Sequence, residues 1–215
     1  MFRVVTVSRE YGSAGTEIAR RVAEHLGWDL FDDELIARVA LRAGVDVNTV
    51  RRYDECVDSW WRRFNRAGLW ASAIASGISP ADALFFDADA TARMTHQLIQ
   101  EAAREGNCVI VGRGAQCVLR GFPQVLHVFV YGPWVERVAR VQERVADCPD
   151  VTGLIRTTDR ARAAYHRRHF GYDWKDPSLY RMVISSELGI ENVAAMIANA
   201  VVDVELAAIS SVSGM

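Results

Sequence analysis

The sequence predicts an α/β protein of three layers, αβα, in which helices cover both faces of a parallel sheet. Short, near-continuously apolar runs rich in β-branched residues recur along the chain, as in VVTV, CVIV and VLHVFV. Strands buried on both faces read this way, whereas strands with one wet face alternate. Segments with apolar residues at helical spacing separate the runs, which is the alternation of a parallel sheet. Glycine-containing turns follow the first and third runs, at the edge where open parallel sheets bind their ligands.

The first strand is FRVVTVS, Phe2 to Ser8, bounded by a glycine turn. In TEIARRVAEHLG, Ile18, Ala19, Val22, Ala23 and Leu26 recur at helical spacing and Gly27 ends the helix. A second short strand runs to Phe31, and Asp32 or Asp33 caps a helix that stops at Gly44. From about 46 to 89 the pattern is helical but less regular, and it reads as a helical insertion carrying Trp60, Trp61 and Trp70. TARMTHQLIQEAAREG predicts an amphipathic helix leading into the third strand, within NCVIVGRG. VLHVFVYG, Val125 to Gly132, is the fourth strand, followed by the helix PWVERVARVQERVA with proline in its first turn. A long basic helix is expected over about Val151 to His169, a last strand over Leu179 to Ser186 and a last helix from Ile190. No repeat or low-complexity linker interrupts the series, so one domain over 1–215 is the expectation.

Composition sets bounds on function. The 215 residues, half apolar and about a quarter charged, are enough to bury a sizeable core and exclude a disordered chain. A formal net charge of −2 gives no overall pull toward nucleic acid or an anionic membrane, so anion binding must come from local clusters. Cys56, Cys108, Cys117 and Cys148 form no CxxC pair and show no metal-ligand spacing with the histidines, and the N-terminus lacks the basic and long apolar regions of a signal peptide. Free thiols in a soluble cytoplasmic protein are expected. No apolar run approaches the roughly 20 residues that a membrane span needs.

The chemistry concentrates at the predicted carboxyl edge of the sheet. In SREYGSAGT, Gly12 and Gly15 permit the dihedrals of an anion-cradling loop, small Ser13 and Ala14 leave room for phosphate, and the next helix directs free N–H groups there. Thr16 either caps that helix or helps to hold Mg²⁺. A Walker A loop would carry a lysine, which is absent, and an ordinary strand-to-helix turn is the competing reading. Arg156, Arg160 and Arg167 lie at offsets of four and eleven, about 40° of arc on a helix, and so share a face. Like charges one turn apart are mildly destabilising, which favours an anion opposite them, with Asp159 orienting a guanidinium; a solvated basic face is the alternative. Arg113, between Gly112 and Gly114, either points into the cleft or pairs with a surface acid, and Asp32 faces the same cleft with Arg38 six residues on. Arg9, beside the loop, either supplies charge to it or pairs with Glu10 or Glu17.

Taken in order, SREYGSAGTEIARRVAEHLG, FDDELI, CVIVGRGA, VFVYGP and RTTDRARAAYHRRHFGYDWKDPSLYRMVIS resemble the cytidylate-kinase-like proteins, relatives of the nucleoside monophosphate kinases in the P-loop phosphotransferase fold. The resemblance covers nearly the whole chain outside the insertion. It implies a P-loop NTPase, nucleoside monophosphate kinase-like fold with a basic helical lid over about 147–175. It implies transfer of the γ-phosphoryl group of ATP, with Mg²⁺, to a nucleoside monophosphate, CMP or dCMP being favoured. Under it Gly12, Ser13, Ala14, Gly15 and Thr16 form the phosphate loop, Gly15 standing at the place of the Walker A lysine and Thr16 on the metal. Arg113, Asp32 and Arg38 belong to the monophosphate site. Arg156, Arg160 and Arg162 belong to the lid, and the lid arginines with Arg9 supply the charge of the missing lysine. Two departures stand out: the loop usually reads S-G-G-R where this chain has Ser13 to Thr16, and the acid after the arginine of the family's GRD is Gly114 here. They make a weakly catalytic or non-catalytic nucleotide-sensing protein of the same fold the second reading. A homodimer or partner contact through the tryptophan-bearing insertion is a third.

Overall fold

The computed structural model describes residues 2–32, 95–97, 99–146 and 148–212, with 203–212 described by backbone alone. The chain divides into two compact units, one of 1–32 and 99–215 and one of 33–98. The expected insertion, its tryptophans, Cys56 and Arg38 lie outside the described residues.

The first unit holds five strands: β1 (Val4–Arg9), β2 (Asp29–Phe31), β3 (Cys108–Val111), β4 (Val125–Tyr131) and β5 (Met182–Ser185). They lie in the order β2-β3-β1-β4-β5, every neighbouring pair parallel. Helices α1 (Gly15–Leu26), α2 (99–105), α3 (Ala115–Val118), α4 (Trp134–Arg144), α5 (Val151–Phe170) and α6 (Ile190–Val212) complete it. No helix among the described residues is long and apolar enough to cross a membrane.

Burial on both faces explains the unbroken apolar runs. Val5 and Val7 of β1 join Val109, Val111, Leu126, Val128 and Val130 under Ile18, Ala19 and Val22 of α1 and Val193 and Ile197 of α6. Phe129 points to the other face, where its ring meets Trp174 at 5.6 Å and Tyr180 at 5.1 Å. Gly27 stops α1 with φ +64°, its N–H turned back onto the carbonyls of the last turn. Two elements differ from the sequence expectation. The last strand begins at Met182 because Asp176 accepts from the Ser178 N–H at 2.9 Å and Pro177 starts a 3₁₀ turn through the buried Leu179. The short helix α3 follows the GRG turn, four residues too few to leave a periodic signal.

A buried histidine interrupts the apolar run of β4. His127 is buried on β4, with Nδ1 2.8 Å from the Thr6 hydroxyl and a further bond to the Leu119 backbone. Burial pushes its pKa down from 6.5 to about 4, helped by the charge of Arg181, so the imidazole is neutral in the folded chain. As pH falls below 6.5 the unfolded chain takes up the proton first. Stability is therefore full above pH 6.5, declines between 6.5 and about 4 by about 3 kcal/mol, and levels off below. Denaturant midpoints measured across this window should show the decline, and His127→Gln should flatten most of it; His166, also buried and lowered, supplies a remainder of the same sign.

The topology places one crevice. β1 is central, the chain runs from it to β2 and β3 on one side, and then returns to β4 on the other. The residues after β1 open onto this switch, beside the ends of β2 and β3.

Candidate functional site

β1 ends at Arg9 and α1 begins at Gly15, so the intervening loop must turn within five residues. Gly12 has φ +79° and Ala14 φ +58°, both left-handed. Ala14 is also the N-cap of α1 and has no side chain able to cap, so the first-turn N–H groups of the helix meet no capping side chain. Thr16 lies inside the helix, exposed, and does not cap it. Ser13 builds the loop: its N–H and hydroxyl both donate to the Glu10 carbonyl, at 3.3 and 2.9 Å. Gly12 has no room for a side chain, since a Cβ there would lie 2.7 Å from the Arg137 carbonyl oxygen.

Arg9 crosses this crevice. A Cβ placed on Gly15 would lie 2.4 Å from the Cβ of Arg9, so the Arg9 side chain starts where a side chain of residue 15 would start. Its guanidinium reaches the end of β3, with Nη1 2.2 Å from the place a Cβ would take on Gly112. Arg162 of α5 donates to the Arg9 carbonyl at 2.8 Å and so holds the root of this span.

A buried charge network fixes the loop from outside. Arg137, only 5% exposed, donates through Nε to the Tyr11 carbonyl at 2.7 Å. Its Nη1 lies 3.2 Å from Glu10 Oε2, and its Nη2 pairs with Asp159 of α5. Asp159 also accepts from the Tyr11 N–H at 2.9 Å. Glu10, also buried, accepts from the Gly132 N–H at 3.3 Å and pairs with Lys175. Two carboxylates thus meet two cations, the condition for keeping charge away from water. The guanidiniums of Arg144 and Arg162 lie over the Tyr11 ring, 4.9 and 5.7 Å from its centroid.

The second glycine turn is shaped by α5. Gly112, Arg113 and Gly114 are consecutively left-handed, with φ +72°, +56° and +71°. For Arg113 this conformation costs about 1 kcal/mol. A Cβ on Gly114 would lie 2.3 Å from Cε2 of Phe170, so an aromatic ring fills the place of the expected acid. Burial raises the pKa of Tyr165 while the charge of Arg113 works against that rise, which places the guanidinium beside α5. Gln116 donates to His166 Nε2 at 2.8 Å and to Tyr180 at 3.2 Å, and His166 Nδ1 donates to the Arg162 carbonyl at 2.8 Å.

The fold brings together Arg9, the 12–16 loop, Arg113 and Asp32 at one sheet edge, Asp32 directly after β2. Of the basic helix, Asp159 and Arg162 face the loop, whereas Arg156, Arg160 and Arg167 are exposed on the adjoining flank, Arg156 lying 5.4 Å from the Trp134 ring. Contacts from Asp159 to Phe170 tie α5 to the loop and to the β3 turn. Sequence reasoning missed Arg137 and Lys175, and named Glu10 only as a partner of Arg9, whereas it pairs with those two cations. Arg137 had a signal, since it sits one turn before the buried Val141 on the inner stripe of α4. No three His, Cys, Asp or Glu side chains among the described residues group as a metal site.

Solved structures share this fold at low sequence identity. A crystal structure of an uncharacterized protein from Eubacterium ventriosum ATCC 27560 covers 94% of this chain and 98% of its own, with TM-score 0.65 and 20% identity. TT1252 from Thermus thermophilus covers 94% and 97%, with TM-score 0.53 and 14% identity. Shikimate kinase from Acinetobacter baumannii, in complex with shikimate, covers 96% of each chain at TM-score 0.51 and 12% identity. Such likeness shows an α/β fold shared with these three structures. The curated cytidylate kinase of Methanosarcina acetivorans is 31% identical over 85 residues, 39% of this chain and 47% of its own. The chain therefore spans about half the length of the curated relative it matches. The family model described as the cytidylate kinase-like family matches residues 4–188, and this chain belongs to that family.

Proposed function

We propose that the chain is an ATP-dependent phosphotransferase that moves the γ-phosphoryl group of ATP to a nucleoside monophosphate, with CMP or dCMP as acceptor. The observation that carries this reading is Arg9, whose side chain begins where that of a Walker A lysine would begin and spans the crevice toward Gly112. The loop fits a polyphosphate: nothing larger than a methyl group stands at Gly12, Ala14 or Gly15, and the first turn of α1 is uncapped by side chains. ATP would supply the phosphoryl group when bound, and Mg²⁺ held with it would offset the charge of its phosphates.

The residues of the chain do the rest. Loop and α1 N–H groups bind the donor phosphates, Arg9 neutralises them, and the exposed Thr16 hydroxyl is the protein ligand to the metal. Arg156 and Arg160 add charge from the flank of α5, and Arg162 acts behind them by holding the Arg9 backbone. Arg113 grips the acceptor phosphate in line with the donor, with Asp32 and Arg38 orienting the acceptor. Closure of the 147–175 lid over the donor phosphates belongs to the same proposal, with Asp159 and Arg162 tying α5 to the loop. A cytoplasmic location and self-association through the tryptophan-bearing insertion belong to the same proposal.

ATP consumption with Mg²⁺ against CMP, dCMP, UMP, AMP and GMP tests it. Turnover on a pyrimidine monophosphate is expected, with Arg156→Ala lowering it by about 10²-fold, the usual loss for one charge-stabilising group. One observation favours a second reading, a nucleotide sensor: Phe170 fills the place beside Arg113 where an acid would serve the acceptor. ATP binding without turnover on any acceptor would support it.

A further inference from the structure

Of the 25 basic residues of the chain, Lys175 is the sole lysine. It does not lie in the phosphate loop, yet its ammonium is in contact with Glu10, the residue after Arg9. We propose that Lys175 is a donor-phosphate lysine that reaches the loop from the turn after α5: it rests on Glu10 in the free chain and moves to the nucleotide phosphates on binding. This rests on the phosphotransferase reading above, and supplies it with a cation that the loop sequence lacks.

The backbone of Lys175 is held, and its side chain is half exposed and ends on Glu10. The Lys175 N–H donates to Asp173 Oδ1 at 3.0 Å, and the neighbouring Trp174 is buried against Phe129. The Lys175 side chain itself is 46% exposed, with Nζ 5.5 Å from the Trp174 ring centroid. Four methylenes then allow the ammonium to change partner while the backbone stays in place. Departure of Lys175 does not strand Glu10, whose second oxygen keeps Arg137 at 3.2 Å and the Gly132 N–H at 3.3 Å. A polyphosphate carries several negative charges against the single charge of one carboxylate, so it outcompetes Glu10 for a mobile cation. A compact, rotatable ammonium suits such a transfer, whereas the planar fork of arginine suits the fixed pairs that Arg137 makes.

A sole ε-amine makes the test direct. Acetylation of Lys175 by an amine-reactive ester, followed by mass spectrometry on the full chain, should slow several-fold in ATP or inorganic triphosphate and stay unchanged in adenosine. Calorimetric ATP affinity should fall about tenfold or more in Lys175→Met, as expected for a charge-assisted contact, and hold within about threefold in Lys175→Arg. The double variant Glu10→Gln, Lys175→Met should stay weak. Recovery in the double variant would reduce Lys175 to a counter-charge for Glu10 and overturn the proposal, as would ATP binding with unchanged acetylation and unchanged affinity in Lys175→Met. Absence of ATP binding in the natural chain would overturn both this inference and the phosphotransferase reading.

Discussion

Arg9→Ala should lower phosphoryl transfer by about 10²–10³-fold, the loss associated with removing one preorganised group that faces developing charge. Gly15→Lys should not improve the natural chain; it should inactivate it. Any Cβ at position 15 falls 2.4 Å from the Arg9 Cβ and 2.9 Å from its Cγ, so the new side chain must displace the arginine that does its work. Only glycine at position 9 lacks the Cβ that stands 2.4 Å away, so combining Arg9→Gly with Gly15→Lys clears the clash and returns a lysine to the start of α1. The double variant Arg9→Gly, Gly15→Lys should therefore recover at least tenfold over Arg9→Ala or Gly15→Lys alone, an interaction energy of the kind neighbouring residues show. Steady-state rates with saturating acceptor measure all three. An Arg9→Ala enzyme with full activity would remove the main support for the proposed chemistry. Additive losses in the double variant would mean that Arg9 and residue 15 do not share one task.

How much of this was legible beforehand depends on the range of the interaction. The strands and α1 were readable because a strand buried on both faces, or a helix with one buried stripe, repeats its signal every two or every three to four residues. Ile18, Ala19 and Val22 announce the inner face of α1 by spacing alone. The loop was readable for a different reason: Gly12 must adopt a left-handed φ against the Arg137 carbonyl, and glycine marks that locally. The partnership of Arg9 with Gly15 was not readable, although the two are six apart, because it depends on how sharply the loop returns on itself. Glu10, Arg137, Asp159 and Lys175 meet across as many as 165 residues of chain, and no periodicity records such a meeting. What sequence can offer there is an anomaly, such as a charged residue on the apolar stripe of α4. The strand expected from Leu179 illustrates the opposite failure, an apolar run claimed by a turn because a proline and an aspartate cap precede it.

Arg137 is where the buried network is most exposed to damage. Arg137→Ala removes the Nε bond to the Tyr11 carbonyl and both guanidinium pairings in one step. Glu10 keeps Lys175 and the Gly132 N–H, but Asp159 keeps only the Tyr11 N–H at 2.9 Å and a distant Arg162 at 3.8 Å. Leaving the half-buried Asp159 carboxylate without its close cation costs up to about 3–5 kcal/mol, the loss for a fully buried charge. For a chain of this size that corresponds to a fall in Tm of roughly 6–20 °C. Lost packing under Gly12 predicts the same direction, so a second variant separates charge from volume. Asp159→Asn in the Arg137→Ala background removes the stranded charge without restoring any packing, and should return part of the lost stability. Asp159→Asn alone should destabilise, because it leaves the Arg137 guanidinium short of a counter-charge. Opposite signs for one substitution in two backgrounds are the mark of a true ion pair, and a loss in both would show that Arg137 stabilises the loop by its bulk.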